Sequence, residues 1–298
     1  GQGSGNYMSR MLGQKHYQEA STMAANGFFS AIGAGVLICI LGQIFLEPLA
    51  YLLGSTDTIL PHTKAYLQVI LIGAPWMTTS FVLNNQLRFQ GGAFYAMIGI
   101  TTGAALNIIL DPLMILPQFM NLGVAGAGWA TIFSQFVSFC LLYIGVSRGD
   151  NIHIRIRDVK FQFFYMKQII QGGLPSLARQ SLASVATISL NQAAGLLDNE
   201  AVIAAMGVVQ RIMMFGASAM IGFGQGFQPV CGFNFGAQLY DRVRQGFRFC
   251  VKSSLIFLIG VSALMFIFAP QMISLFRDDP DVIRYGALAL RLQCISFP

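Results

Sequence analysis

The chain has 298 residues, of which 55% are hydrophobic and only 10% are charged, and its formal net charge is +6. An ordinary soluble domain has about 25% charged residues. With a mean hydropathy of +0.62, this composition excludes a soluble globular protein and indicates a polytopic membrane protein.

Long apolar windows recur along the chain, and about 20 apolar helical residues are enough to cross a bilayer. Windows without Asp, Glu, Lys or Arg are Ala20–Leu46, Ala65–Leu87, Phe89–Leu110, Leu122–Ser147, Ile212–Tyr240 and Ser253–Phe276. Two further windows carry one Arg each: Gly172–Leu197 with Arg179, and Ala201–Phe227 with Arg211. A last window begins at Tyr285. Because windows 201–227 and 212–240 overlap, the sequence predicts an all-α fold with seven complete membrane helices and a partial eighth.

The cations are distributed unevenly between the loops that join these windows. Twelve of the 18 Lys and Arg fall in loops on one side and three in loops on the other, while Arg179, Arg211 and Arg291 lie inside windows. The positive-inside rule assigns the richer side to the cytoplasm. It includes the segment 148–167, which carries five cations.

Short identities recur at a constant separation of 223 positions. Gly1-Gln2-Gly3 matches Gly224-Gln225-Gly226, and Gly13, Tyr17 and Pro75 match Gly236, Tyr240 and Pro298. Both copies begin on the cationic side, six helices apart, as in transporters with parallel repeats. We therefore expect two six-helix bundles related by a parallel repeat, of which this chain holds about eight helices. The expected boundaries are an N-terminal bundle over 1–147, incomplete at its start, an interfacial linker over 148–171 and a truncated C-terminal bundle over 172–298.

Polar residues inside membrane helices tend to face the protein interior or a wet cavity. Gln180, Ser184, Thr187 and Asn191 are spaced by four, three and four positions, which places them on one helical face. This stripe is expected either to line a substrate cavity or to form hydrogen bonds between helices.

A second candidate surface lies in the next window. Met206, Met213 and Met220 follow one another at intervals of seven positions, with Gln210 on the same side. Flexible Met side chains suit surfaces that accept varied ligands, although they also serve as core filler. Arg211 lies near mid-span and is expected to be paired at a functional position or to extend its charge to the interface.

Asn107 and Asp111 are four positions apart at the outer end of the third window. The pair is a candidate ion or coupling site. Because Pro112 follows, a structural cap or bend is the alternative.

Motifs typical of other protein classes are missing. The sequence has no phosphate-binding Gly-x4-Gly-Lys-Ser/Thr, no His-Glu-x2-His and no Gly-x-Ser-x-Gly. No paired Asp, Ser/His pair or metal-ligand cluster falls within the windows, so we expect no enzyme, cofactor or metal site. The topology explains the net positive charge without a nucleic-acid partner.

Several stretches resemble one transporter family: Leu87-Arg88-Phe89-Gln90-Gly91, 107–112 (Asn-Ile-Ile-Leu-Asp-Pro), Gly123–Trp129, Gly173-Leu174-Pro175-Ser176 and Gly224–Gln238. They are similar to the multidrug and toxic compound extrusion (MATE) transporters, in particular to the bacterial branch with staphylococcal-type exporters. The resemblance implies two six-helix bundles around a central cleft and exchange of a cationic amphipathic drug for H⁺ or Na⁺. One departure is that a sodium-linked branch uses a carboxylate in the helix matching Gly172–Leu197, where this sequence has none.

The resulting hypothesis is a secondary multidrug antiporter of the bacterial cytoplasmic membrane that works by alternating access. Its expected partners are small organic cations and membrane lipids, its expected state is a monomer, and the chain is expected to be a fragment that does not transport alone. The alternative is a flippase or exporter of a lipid-linked or polysaccharide substrate on the same fold. That alternative predicts several cavity cations, for which Arg211 is the one candidate.

Overall fold

The structure, a computed structural model, describes residues 1–53, 55, 57–116, 120–148, 152, 154–160, 162–195, 200–276 and 279–296, without the side chains of 187, 188, 190–195 and 200–204. In these ranges the chain forms helices and no strand. The α-helices are α1 (Gln2–Gly13), α2 (Tyr17–Ile44), α3 (Leu46–Leu52), α4 (Leu60–Ile72), α5 (Ala74–Phe89), α6 (Ala93–Ile115), α7 (Gly123–Ser147), α8 (Phe163–Gly195), α9 (Glu200–Gly236), α10 (Tyr240–Ile267), α11 (Ala269–Ser274) and α12 (Pro280–Ser296). A 3-10 turn covers Ile156–Asp158.

The prediction of a polytopic all-α membrane protein is confirmed. Among the described residues, five helices are long and apolar enough to cross a membrane: α2, α6, α7, α10 and residues Ala205–Gly236 of α9. The pair α4 and α5 would be a sixth span if the two helices act as one. No metal-ligand cluster of three or more His, Cys, Asp or Glu occurs in the same ranges.

One predicted span has the wrong shape. The window Ala65–Leu87 was expected to be one helix, but it divides into α4 and α5 with a bend of 54°. The break falls at Gly73, and Pro75 lies in the first turn of α5. Proline has no N–H to continue the hydrogen-bond ladder of a preceding helix, whereas the first turn of a new helix tolerates it.

Other helix boundaries also differ from those of the predicted windows. The overlapping windows 201–227 and 212–240 are one long helix, α9, and Ser253–Phe276 corresponds to parts of α10 and α11. Helix α8 begins at Phe163, inside the stretch predicted as a linker.

The structure repeats its backbone geometry at the separation of 223 residues that the sequence predicted. Helices α2 (Tyr17–Ile44) and α10 (Tyr240–Ile267) both have 28 residues, and each end of one lies 223 positions from the same end of the other. The short helices α3 and α11 begin at Leu46 and Ala269, again 223 apart.

The turn before each long helix repeats as well. Helices α1 and α9 end at Gly13 and Gly236, and Lys15 and Gln238 then adopt positive φ angles of 63° and 59°. At the end of α1 the His16 N–H donates to the Met11 carbonyl oxygen at 2.8 Å, which is the bond of a Schellman motif. That motif normally has glycine at its left-handed position, so both copies keep the same strained turn without glycine.

The chain divides into two compact units. The first contains residues 1–174 together with Gly232–Gln238, and the second contains Pro175–Cys231 and 239–298. The last turns of α9 are therefore part of the first unit, although most of that helix is in the second.

The core of the first unit joins segments that the charge distribution placed on one side of the membrane. Met8 of α1, Ala20 of α2, Phe89 of α5 and Ile152 of the segment after α7 form one buried cluster. These four residues come from regions predicted to lie on the cytoplasmic side of the membrane, and the structure brings them together in one cluster.

The segment after α7 is tied to α2 by a fully buried side chain. The Asn26 amide nitrogen donates to the Lys160 carbonyl oxygen at 3.0 Å, and the Lys160 N–H donates to the Asn26 amide oxygen at 2.9 Å. The side chain of Asn26 thus satisfies both backbone groups of one residue, in the way that a neighbouring strand would.

The second unit has its own apolar core. It combines Val209 and Ile212 of α9, Met265 of α10, Ile273 of α11 and Leu290 of α12. These side chains are nearly inaccessible to solvent, so this unit packs around α9.

Candidate functional site

The carboxamide and carboxylate predicted as a pair are in contact in the first unit. The Asn107 amide nitrogen donates a hydrogen bond to the Asp111 carboxylate at 3.1 Å, within α6. Both side chains are half-buried. Within the described ranges Asp111 makes no ion pair.

A cavity of about 230 Å³ with polar side chains in its wall, called the polar cavity below, adjoins Asn107 of this pair. Three helices of the first unit form its wall: α5, α6 and α7. The lining residues are Ser80, Phe81 and Asn84, then Ile100, Gly103, Ala104 and Asn107, then Thr131, Gln135, Ser138 and Leu142. Six of these carry hydroxyl or amide side chains, within helices that are otherwise apolar.

The approach of α6 to α7 depends on a glycine. A Cβ placed on Gly103 would lie 2.8 Å from the Cβ of Ser138, closer than real Cβ contacts. The missing side chain lets α6 pack closely against α7 beside the cavity, as small residues do in membrane helix pairs.

The hydroxyl groups of the wall are partly satisfied by their own helices. Thr131 Oγ1 donates to the Ala127 carbonyl oxygen at 2.9 Å, and Ser80 Oγ donates to the Trp76 carbonyl oxygen at 2.7 Å. Each of these hydroxyl oxygens keeps lone pairs that can accept a further bond. The hydroxyl and amide groups of this wall can hold water or a small hard cation, and the Asn107 amide connects them to the Asp111 carboxylate.

Sequence reasoning missed most of this wall. Thr131, Gln135 and Ser138 are spaced by four and three positions, which is the helical spacing that singled out the stripe beginning at Gln180. The same periodicity was therefore available in α7 as a signal. The sequence did not show which helices are neighbours, and only packing brings Ser80 and Asn107 to the same cavity.

The predicted stripe on α8 lies in the second unit. Gln180 and Ser184 are both exposed, and Ser184 Oγ donates to the Gln180 carbonyl oxygen at 3.0 Å. The side chains of Thr187 and Asn191 lie outside the described residues, so their expected place in the stripe stays a prediction.

The predicted residues of α9 have different surroundings. Met206 and Gln210 are half-buried, Arg211 is exposed, and Met213 packs against the core of the second unit. Two roles were considered for the Met residues, and Met213 has the role of core filler. The expected ligand-binding role of the group and the pairing of Arg211 stay predictions.

A second cavity, of about 310 Å³, lies between α9 and α10 and is lined by Ala219, Met220, Phe223, Ser253, Ser254 and Phe257. The repeat suggests that it is a packing surface. Ser254 lies 223 positions after Ala31, and in the first copy the Ala31 carbonyl oxygen accepts a hydrogen bond of 3.0 Å from Thr78 of α5. Because a helix covers this face in the first copy, the polar cavity of the first unit is the better candidate site.

Comparison with known proteins places these features in a family. The MatE family profile matches residues 1–113 and 175–298. The multidrug export protein MepA of Staphylococcus aureus (strain MSSA476) is 26% identical over 298 residues, covering 99% of this chain and 65% of MepA.

Solved structures agree. A MATE protein in the straight conformation superposes with a TM-score of 0.90 at 27% identity, over 98% of this chain and 65% of that protein. An outward-facing multidrug resistance MATE family transporter of the MOP superfamily gives a TM-score of 0.90 at 26% identity, with the same two coverages. The chain thus spans 65% of the length of these relatives. Since the profile matches well over half of it, the chain belongs to the MatE family of multi-pass membrane transporters.

Proposed function

We propose that this chain is part of a secondary multidrug efflux antiporter, which exports cationic amphipathic compounds in exchange for H⁺ or Na⁺ by alternating access. The observation that carries the proposal is the Asn107–Asp111 pair beside a polar cavity within the apolar helices of the first unit. The similarity to MepA, a multidrug export protein, supports the substrate class. The proposed location is the bacterial cytoplasmic membrane, and the proposed state is a monomer surrounded by lipid.

Asp111 is the proposed coupling residue. A carboxylate in an apolar helix is costly unless a proton or a cation neutralises it. Binding of H⁺ or Na⁺ at Asp111 changes the strength of the hydrogen bond that Asp111 accepts from the Asn107 amide. The hydroxyl and amide groups of the cavity can rearrange in response. Ion binding drives transport only if its affinity differs between the outward-open and inward-open states.

The proposed drug site is on α8 and α9 in the second unit. Its polar members are Gln180, Ser184, Thr187, Asn191 and Gln210, and its apolar members are Met206 and Met213. The exposure of Gln180 and Ser184 and the partial exposure of Met206 support this assignment. Adaptable Met beside amide groups suits cations of varied shape.

The test replaces the coupling carboxylate. Because the chain spans 65% of its relatives, the protein is extended to their full length and reconstituted in proteoliposomes. Asp111→Asn, which keeps the shape but cannot ionise, is expected to slow gradient-driven uptake of a cationic dye by about tenfold or more. Asp158→Asn is the control, because the half-buried Asp158 carboxylate accepts a hydrogen bond from Gln18 and is not part of the cavity wall. Dye uptake by Asp111→Asn equal to that of the control would rule out the coupling role.

One observation favours the alternative substrate. Arg211 is exposed in α9, and an exposed cation within a membrane helix suits an anionic lipid-linked or polysaccharide group. In this alternative, Arg211→Gln abolishes transport of the anionic lipid, and the dye is not carried. If Arg211→Gln leaves dye uptake unchanged, a role for this cation in substrate binding is excluded.

A further inference from the structure

The segment between α7 and α8 is anchored within the first unit on both sides of its 3-10 turn. Before the turn, Ile152 is fully buried in a core cluster. After it, the Lys160 N–H and carbonyl oxygen bond the Asn26 side chain at 2.9 and 3.0 Å. The Gln18 amide also donates a hydrogen bond of 3.1 Å to the Asp158 carboxylate. The turn is therefore held in one place against α2.

These anchors place the segment at the depth of the lipid headgroups. Gln18 is in the first turn of α2, and Asn26 lies eight residues later, a rise of about 12 Å along a helix. The charge distribution assigns the start of α2 to the cytoplasmic side, and its apolar window begins at Ala20. Asp158 is thus level with the cytoplasmic end of α2, and Lys160 lies deeper than the start of the window. The headgroup layer on each side of a bilayer is roughly 5–8 Å thick, so the segment crosses it.

The cations of this region are exposed. Arg155, Arg157, Lys160 and Lys167 all have exposed side chains, and none of them makes an ion pair among the described residues. Asp158 is the one acid in the sequence 154–160, and its carboxylate already accepts the bond from α2. The region therefore presents positive charge that the described part of the protein does not neutralise.

Apolar side chains are exposed beside these cations. Ile156, which lies between the two Arg, is 77% exposed, and Phe163 at the start of α8 is 83% exposed. Phe163, Lys167 and Ile170 share one face of α8 by their spacing of four and three. Cations alone are enough to set the orientation of a membrane protein, so orientation does not account for the exposed Ile and Phe. Cations next to apolar groups are typical of surfaces that contact both the headgroups and the acyl chains of lipids.

We propose that Arg155, Ile156, Arg157, Lys160 and Phe163 form a binding surface for anionic phospholipid of the cytoplasmic leaflet. The guanidinium groups bind the phosphate, because Arg offers parallel N–H donors that match its oxygens. The exposed Ile and Phe contact the upper part of the acyl chains, which a soluble anion does not provide. None of these residues belongs to the polar cavity or to the proposed drug site, so lipid binding here does not require transport.

The first test places a reporter at the turn. In the protein at the full length of its relatives, with all other tryptophans replaced by phenylalanine, Ile156→Trp is reconstituted in bilayers that contain brominated phosphatidylglycerol or brominated phosphatidylcholine. Half-quenching of the indole is expected to need about fivefold less of the anionic lipid, because each cation near the surface favours it by about that factor. Equal quenching by the two lipids, or quenching by neither, would overturn the proposal.

Removing the charges is expected to remove the preference. In the same reporter protein, Arg155→Gln combined with Arg157→Gln should make the two lipids quench equally. The matched control is Arg242→Gln combined with Arg244→Gln, because these exposed residues are also two positions apart and lie in a loop region on the same side of the membrane. A preference that survives the first pair of substitutions, or that disappears with the control pair, contradicts a site at the turn.

A second measurement keeps Ile156, because an indole itself favours the membrane interface. Native mass spectrometry of the purified full-length protein counts the lipid molecules that stay bound. Phosphatidylglycerol should be retained at about fivefold lower concentration than phosphatidylcholine, and Arg155→Gln with Arg157→Gln should abolish this difference. Equal retention by the unsubstituted protein overturns the anionic surface, and dye transport by that protein would leave the antiporter standing. Selective lipid retention without dye transport supports the surface and rejects the antiporter.

Discussion

At the scale of single residues, Asn26 shows how one buried side chain can hold a connecting segment. It bonds both backbone groups of Lys160 and is completely inaccessible. Removing the amide takes away the side-chain partner of the Lys160 N–H and carbonyl, and losing a hydrogen bond of this kind costs roughly 0.5–1.5 kcal/mol. The segment after α7 would then detach from α2 more often.

Trypsin can report this loss, because Arg155 and Arg157 lie in the segment that Asn26 holds. We expect Asn26→Ala to speed tryptic cleavage after these residues about tenfold, since about 1.4 kcal/mol of local opening free energy corresponds to that factor. Gln43→Ala is the control, because its amide bonds a backbone carbonyl at 2.7 Å on an exposed surface. A cleavage rate equal to the control would show that other contacts hold the segment.

At the scale of elements, the turn between α1 and α2 and the turn between α9 and α10 store backbone strain. Lys15 and Gln238 are exposed and have positive φ angles, where a residue with a Cβ loses roughly 1–2 kcal/mol relative to the right-handed region. Gly91 occupies the comparable left-handed position after α5, with a φ of 91°. The turns at Lys15 and Gln238 thus lack the residue that their geometry favours.

Lys15→Gly and Gln238→Gly are therefore each expected to stabilise the protein by about 0.5–1 kcal/mol, the strain relieved minus the added entropy of the unfolded chain. The measurement is the thermal midpoint in detergent. Gln14→Gly, at a helical φ of −83°, should lower the midpoint. If the two glycine substitutions lower it as well, the side chains make contacts that outweigh the strain.

The elements also show what the sequence could predict. Helices α2, α6 and α7 begin and end within about five residues of their windows, because continuous apolar runs are governed by the bilayer thickness. The break at Gly73 was missed because a hydropathy window does not register one glycine and one proline within an apolar run. For the candidate site, spacing alone found Asn107 and Asp111, which belong to one helix. Ser80 and Gln135 escaped because their proximity to Asn107 is created by tertiary packing.

At the scale of the whole molecule, the asymmetry between the copies is informative. Backbone geometry repeats closely, as Tyr17–Ile44 and Tyr240–Ile267 show, while side-chain chemistry does not. Asn26, which holds the connecting segment, is matched 223 positions later by Phe249, which is exposed. A repeated backbone with different polar residues allows one half to carry the coupling ion and the other to carry the drug, which is the division that we propose.

The most direct measurement is uptake of a fluorescent cationic dye into proteoliposomes that contain the protein at the full length of its relatives, with an H⁺ or a Na⁺ gradient imposed separately. The account predicts dye movement driven by one of the two gradients, slowed about tenfold or more by Asp111→Asn and preserved in Asp158→Asn. In protein shown to be folded, dye that fails to move under either gradient would contradict the antiporter and favour the lipid-linked substrate.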